Sequence, residues 1–562
     1  MAIGSSKGPW VMGISASHNG AVCLLQGDRI VCAIQEERLT RIKRQKIHGA
    51  APALSIAYCL SHAGISAAEL DLVVLCTQGR GRIAANDVAR NPLLRPELHG
   101  LRIERISHHM GHAVSAFGLA GFDESAVLII DGMGSHWDDL PSCERAAAKR
   151  QIEDGFETAS LYHASGVNVE PLRKHFVARG EWVVLNGPTM PTFGSLGGIF
   201  AAASKQIFGT STEPGKVMGL APFGQPRFTP KDFFVVDNDE FTFSTDVPRS
   251  FQSQERWPSC SESYADLARS AQEAVEEGVL YLARSLKLLT RSSRLCYAGG
   301  VALNGIANER LFAEAGFDEI FIVPPAEDSG TAIGAAFWGL WHLTGENTHV
   351  RLASDALGRP YLPAEIAMAA QKLGGIKLVP QQDYIETAAD LLCEGRIVGW
   401  FAGGSELGPR ALGQRSILCD PRHPEMKETI NTRVKRREAF QPFAPAILRE
   451  DVADWFETSV SGIDSPFMLR VHPFKHDRLS QVPAVAHVDG TGRLQTLTES
   501  ANGTFYHLVD AFKQRTGVPM LLNTSFNGRG EPIVETPEDA LRCMLANGLD
   551  CCVFPGIVAV KV

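Results

Sequence analysis

The sequence predicts an α/β protein of two domains, the first a nucleotide-type fold with two related halves. Three observations carry that prediction. Apolar runs of strand length alternate with stretches whose apolar residues recur at helical spacing. Two of the strands run into glycine turns that open helices, LCYAGGVALNGIANERLF and IFIVPPAEDSGTAIGAAFWGLW. The chain has 562 residues, more than one domain usually holds.

Taken in order, WVMGISASHNGAVCLLQGDRIVCAIQEER reads as three strands joined by short turns. AAPALSIAYCLSHAGISAAEL is a helix with a glycine stop, and LDLVVLCT is a buried strand. ISHHMGHAVSAF places His108 and His112 four residues apart, hence on one helical face, with His109 between them. SAVLIIDGMG is a strand ending in Asp131-Gly132. In the two glycine turns, Gly299, Gly300 and Ser329 stand at helix starts, where free backbone N–H groups suit phosphate. Residues 345–380, polar punctuation followed by one amphipathic helix, mark the junction. Residues 1–350 are expected as the first domain, 351–379 as a linker and 380–562 as the second domain. The second domain reads as helix, strand IVGWFA, a glycine-rich loop, and a closing strand, loop, helix and strand.

Composition narrows the function. A hydrophobic fraction of 44% and a charged fraction of 21% are those of a globular protein. The net charge of −9 lacks the basic footprint of a nucleic-acid surface. RLTRIKRQK, Arg38 to Lys46, is either a solvated loop or an anion site. Twelve cysteines without a CxxC pair read as reduced thiols. The first residues hold no apolar signal core and no run is long enough to span a membrane, so a cytoplasmic, soluble protein is expected.

Two constellations bear chemistry. His108 and His112 can share a metal, but His109 stands where a zinc protease needs glutamate. The remaining ligands must come from elsewhere, with Asp131 and Asp328 the candidates. Such a His2Asp2 set suits Fe(II), Mn or Zn better than Mg. The alternative is a structural helix with polar histidines. In the C-terminal part, Arg410, Arg415 and Arg422, then Arg433, Lys435, Arg436 and Arg437, then His487 and Arg493, then Asn523, Ser525 and Asn527, gather in structured loops. Arginine forks there point to a small-anion pocket, surface solvation being the alternative.

The ordered motifs HHMGHAVSAF, IIDGMG, GKVMGLAPFG, AGGVALN, EDSGTAIGAA, ELGPRALGQRS, KRREAFQPFAP, HVDGTGRLQ and LNTSFNGRGEPIVETP resemble those of the NodU/CmcH family of O-carbamoyltransferases, from about Val11 to Val558. The resemblance implies an actin/hexokinase-like N-terminal domain and an α+β YrdC-like C-terminal domain. It implies a reaction in which carbamoyl phosphate and ATP, with Mg²⁺, form carbamoyladenylate in the second domain. The first domain then passes the carbamoyl group to a hydroxyl of a small natural product such as an antibiotic, sugar or polyketide. Under this resemblance His108, His112, Asp131 and Asp328 hold iron. Lys216, Gly299, Gly300, Asn304 and Ser329 line nucleotide. Arg410, Arg415, Lys435 and Arg493 form the adenylate with Asn523 and Ser525, and His18 lies near the transfer centre as a base or as a structural turn residue. Three departures stand out: Asn19 where the family has aspartate, Gln441 where it has arginine, and Pro214 where it has a more flexible residue. A tRNA threonylcarbamoyl-type enzyme and a non-enzymatic actin-like ATP-binding protein are the competing readings. Oligomeric state is open, a homodimer being one candidate.

Overall fold

A computed structural model describes residues 8–47, 53–79, 98, 100–150, 152–185, 189–251, 255–457 and 463–562. The chain forms two compact units. One comprises residues 1–36 and 44–352; the other comprises residues 37–43 and 353–562.

The first unit contains two five-stranded sheets of the same design. One has the order β3-β2-β1-β4-β5, with β1 Trp10–Ser15, β2 Ala21–Gln26, β3 Arg29–Gln35, β4 Leu72–Cys76 and β5 Ile103–Ile106. In the other, β6 Glu124–Ile130, β7 Gly155–Ser165 and β8 Asn168–Ala178 form the meander. Two minor ribbons follow, β9 Val183–Val184 with β10 Thr192–Phe193, and β11 Phe234–Asp237 with β12 Glu240–Phe243. Then β13 Arg294–Ala298 and β14 Glu319–Ile322 complete the order β14-β13-β6-β7-β8. In each half an antiparallel meander supplies three strands, and two further strands add in parallel beside its first. The first strand of each meander is buried almost throughout, which is why VMGIS and SAVLII read as continuous apolar runs.

Helices His108–Gly118 and Thr331–Thr344 occupy equivalent places, each after its half's last parallel strand, and they pack on each other. Their crossing depends on two glycines. A Cβ on Gly334 would lie 1.8 Å from the Gly111 carbonyl oxygen, so only the bare backbone allows this approach.

The second unit is built on one mixed sheet of order β15-β24-β23-β16-β17-β22-β18-β21. Its strands are β15 Ile376–Pro380, β16 Val398–Phe401, β17 Arg415–Cys419, β18 Ala444–Leu448, β21 Gln495–Leu497, β22 Met520–Ser525, β23 Cys551–Phe554 and β24 Ile557–Lys561; β19 His472–Pro473 and β20 Thr491–Gly492 pair separately. Helices Tyr384–Cys393, Thr504–Thr516 and Pro537–Asn547 bury apolar faces in its core. The stretch expected as a linker, 351–379, is structured instead. It holds helix Pro363–Leu373, started by proline at its first turn, and most of edge strand β15, which pairs with β24. The amphipathic helix expected within this stretch is present, but it and the strand belong to the second unit rather than to a linker. The twelve cysteines are free thiols, and among the described residues no helix is long and apolar enough to cross a membrane.

Candidate metal centre and anion site

In the first unit the four expected ligands converge. One donor atom from each of His108, His112, Asp131 and Asp328 lies within 4.8 Å of the others, and all four residues are buried. His108 Nε2 is 3.2 Å from Asp131 Oδ2 and 3.4 Å from Asp328 Oδ1; His112 Nε2 is 3.9 Å from each of the same two oxygens. Ligands about 2.0–2.1 Å from a common centre are roughly 3.0–3.4 Å apart, so a modest contraction fits the set to one cation.

Asp131 is aimed by backbone. Asp131 leaves the end of β6 and its Oδ1 accepts the N–H groups of Gly132 at 2.8 Å and Gly300 at 3.2 Å, which turns Oδ2 to the histidines. Gly299 stands at φ 95°, and a Cβ there would meet the Ile130 carbonyl at 2.3 Å. That residue must be glycine for the Gly300 N–H to reach Asp131. Helix Leu196–Phe208, capped by Ser195, begins against the same turn, with Ser195 Oγ donating to the Gly132 carbonyl at 3.1 Å.

The donor set fits a divalent transition metal. Both ring nitrogens of His112 are buried without a hydrogen-bond partner, a costly state that a metal bond at Nε2 relieves. Burial disfavours the cation of His108, yet the charge of Asp328 and hydrogen bonds to Asp131 and Asp328 raise its pKa well above the usual histidine range. Burial would raise both aspartates, but His108 holds Asp131 below the usual carboxylate range, and His18 and His108 hold Asp328 well below it. Two buried carboxylates gathered on two imidazoles form a pocket for positive charge.

His18 joins this group. Its Nδ1 is 2.9 Å from Asp328 Oδ2 and 3.1 Å from Gln78 Oε1, and the Asp328 charge raises its pKa to about 9. The Asn19 departure also has a reason. Asn19 Nδ2 donates to Glu327, a buried carboxylate that also accepts from the Ser329 N–H at 2.8 Å and from the Ser329 hydroxyl. Burial raises the Glu327 pKa. An aspartate at position 19 would set two carboxylates together. Asn19→Asp is therefore expected to cost about 1–3 kcal/mol of stability at pH about 8. The pair's raised folded pKa means the penalty is full above it and fades as pH falls through it, so urea unfolding at pH about 5 should show a smaller loss. Equal losses at both pH values would refute this account.

His109 does not face the metal pocket. Its N–H donates to Glu157 at 2.9 Å and its Nδ1 pairs with Ser160 Oγ at 2.8 Å, while burial lowers its pKa to about 3. Glu157 also accepts the Ser135 N–H at 3.1 Å and the Lys174 ammonium at 2.7 Å; Lys174 reaches Glu144 at 2.8 Å and Tyr162 Oη at 2.8 Å. This buried network places negative charge at the start of helix His108–Gly118, where the helix dipole favours it. A Cβ on Gly134 would collide with both His109 and Glu157, which explains the last glycine of IIDGMG. Glu144, Glu157 and Lys174 escaped the sequence reading, since nothing in a β-strand pattern announces a buried ion pair.

Two of the expected nucleotide residues make structural hydrogen bonds. Asn304 caps helix Gly305–Glu314, its Oδ1 accepting the Ala307 N–H at 3.1 Å, and exchanges amide hydrogen bonds with Gln272. Ser329 is tied to Glu327. Lys216 lies on helix Pro214–Leu220, its ammonium 5.4 Å from the Phe208 ring centre. Pro214 is the first residue of that helix, where a missing N–H costs nothing, so it helps start the helix.

In the second unit Arg410, Arg437 and Arg493 gather. Burial lowers Arg493 well below its ordinary pKa, and the charges of Arg410 and Arg437 add to that. Burial takes Arg410 and Arg437 to about 10. Arg493 Nε is buried without a hydrogen-bond partner. Asn523 links the loops carrying this cluster: its Nδ2 donates to the Ala411 carbonyl and to Gln495 Oε1, both at 3.0 Å. Lys435 donates to Ser525 Oγ at 3.1 Å and Asn527 Oδ1 at 2.6 Å, and burial followed by Arg437 lowers it to about 7. Desolvated cations crowded together match an anion. Arg437 belongs in this cluster although the sequence reading did not single it out from its neighbours.

Arg415 does not belong there. It is wholly buried, stacks on Phe401 at 3.6 Å, and donates to the carbonyls of Ala402 at 2.7 Å, Gln414 at 3.0 Å, Gly403 and Glu535. Its fork is consumed by backbone, so its expected contact with adenylate gives way to a structural role. Gln441 donates to Glu438 at 2.6 Å.

The first unit, with its doubled 3-2-1-4-5 sheet, has the actin/hexokinase-like fold expected of it. Comparison with known proteins is more specific. Residues 10–85 and 97–337 match the family described as Carbamoyltransferase N-terminus, and residues 389–561 match Carbamoyltransferase C-terminus. The chain is 34% identical over 566 residues to Nodulation protein NolNO of Sinorhizobium fredii, covering 95% of this chain and 77% of that one. It is 34% identical over 457 residues to Nodulation protein NolO of Bradyrhizobium diazoefficiens, covering 79% and 77%, and 26% identical over 561 residues to Nodulation protein U of S. fredii, covering 92% and 94%. The chain belongs to the carbamoyltransferase family. It is a carbamoyltransferase, an enzyme that moves a carbamoyl group to a small molecule.

Proposed function

We propose that the chain is an ATP-dependent O-carbamoyltransferase working in two steps, one per unit. The observation that carries this reading is the convergence of His108, His112, Asp131 and Asp328 on one point, with the ring nitrogens of His112 lacking a hydrogen bond. The arginine cluster of the second unit supports the other half.

In the second unit, Arg410, Arg437 and Arg493 offset the negative charge of carbamoyl phosphate and of the ATP triphosphate with its Mg²⁺. Balance requires water to release phosphate from carbamoyl phosphate. An oxygen of the resulting carbamate then attacks the α-phosphorus and pyrophosphate leaves, giving carbamoyladenylate. Lys435, held at Ser525 and Asn527, adds positive charge at the same loop.

In the first unit, His108, His112, Asp131 and Asp328 would hold a divalent transition metal, with Fe(II) the expected ion. Such a metal supplies Lewis acidity toward the adenylate phosphate. The acceptor hydroxyl attacks the carbamoyl carbon, the C–O bond to phosphate breaks, and AMP departs. His18 takes the hydroxyl proton at Nε2 while Nδ1 stays on Asp328 and Gln78. The Asp328 charge that favours a protonated His18 is also the charge a bound cation would neutralise, which frees the ring to act as a base. The acceptor is a hydroxyl-bearing natural product. A tRNA acceptor is disfavoured by the net charge of −9.

The test is mass spectrometry of candidate hydroxyl compounds incubated with enzyme, ATP, carbamoyl phosphate and Mg²⁺. A product heavier by one carbamoyl group, with AMP and pyrophosphate formed in step, is the expected result. ATP turnover indifferent to carbamoyl phosphate would sink the reading.

A further inference from the structure

We propose that Arg38, from the N-terminal part of the sequence, is a positioning residue for the loop that carries Arg410. The inference rests on the adenylate-forming reading of the second unit.

Residues 37–43 are part of that unit. Arg38 is wholly buried within it and donates Nη2 to the Gly408 carbonyl at 2.8 Å. Burial lowers the Arg38 pKa, and the charges of Glu37, Glu406 and Glu535 oppose that effect, so carboxylates surround the guanidinium. Gly408 has φ 115°, a conformation that favours glycine, and lies two positions before Arg410. Beyond Arg410 the loop is held by a second device. Glu406 Oε1 accepts the N–H groups of Leu412 and Gln414, both at 2.7 Å, and of Arg415 at 3.2 Å. Arg410 thus sits between a tether at Gly408 and a tether at Leu412, which limits where its own fork can go.

The same segment has an independent anchor. Arg41 donates to the carbonyls of Ile533 at 2.7 Å and Pro532 at 2.8 Å, and does not touch the Arg410 loop in these bonds. Arg38 and Arg41 are not a solvated loop: Arg38 is buried and donates to a backbone carbonyl, and Arg41 donates to two carbonyls and pairs with Asp539 at 3.5 Å.

The experiment compares full-length wild type, Arg38→Lys, Arg38→Ala and Arg41→Ala by carbamoyl-phosphate-dependent exchange of pyrophosphate into ATP, with near-UV circular dichroism to establish folding. A lysine retains the charge among the carboxylates but cannot also serve the Gly408 carbonyl with fork geometry. Arg38→Lys should fold and raise KM for carbamoyl phosphate and ATP by about tenfold or more, with kcat changed less, while Arg41→Ala stays within about threefold of wild type. Arg38→Ala, where it folds, should lose more than Arg38→Lys. Wild-type KM in Arg38→Lys, or an equal loss in Arg41→Ala, overturns the inference. Wild-type enzyme without any exchange would instead overturn the adenylate reading beneath it.

Discussion

Alanine at position 112 is expected to abolish metal binding and carbamoyl transfer while leaving pyrophosphate exchange in the second unit near the wild-type rate. His112 has no hydrogen bond in the structure to lose, and its Nε2 lies 3.9 Å from both ligand aspartates. A merely structural histidine would show partners. Loss of one ligand should reduce transfer by about 10³-fold or more, roughly 4 kcal/mol of transition-state stabilisation. Added Fe(II), Mn(II) or Zn(II) should raise the melting temperature of the wild type and not of the variant. Unchanged metal content with wild-type transfer would remove the metal role.

Arg493→Met is expected to stop adenylate formation and make the protein more stable, a pairing that separates function from fold. Arg493 is held in a desolvated cluster by the surrounding structure, with Arg410 and Arg437 repelling it. Removing the charge should gain about 1 kcal/mol in stability while exchange falls by about 10²-fold or more. Arg415→Met should behave in the opposite way. It strips several carbonyls and a ring stack of their partner in a wholly buried place, and should cost about 3 kcal/mol or more, seen as early urea unfolding. Exchange that persists in Arg493→Met, or normal stability in Arg415→Met, would reverse the assignment of the two arginines.

These two arginines show where sequence reading stops. Both stand in glycine-rich motifs and both carry the same fork. What separates them is the supply of acceptors nearby: carbonyls turned toward Arg415, and other cations around Arg493. Residue type and local spacing hold no record of that. Lys174 teaches the same lesson in the first unit. It lies on a strand and reads as a surface residue, yet it is buried between Glu144 and Glu157 and helps hold the helix that carries the histidine pair.

The sequence by itself determined the α/β class, the paired halves of the first unit and the four residues that converge there, His108, His112, Asp131 and Asp328. Those features are written in short-range patterns: helical spacing puts His108 and His112 on one face, and an apolar strand ending in Asp-Gly exposes a carboxylate. Tertiary structure alone decided the rest. It turned Asn304 into a helix cap, paired Asn19 with Glu327, joined the supposed linker to the second unit through edge strand β15, and carried Arg38 to Gly408 across 370 positions of sequence. The physical reason is common to all four. Burial and hydrogen-bond satisfaction depend on which distant backbone arrives alongside, and the local chain cannot specify that.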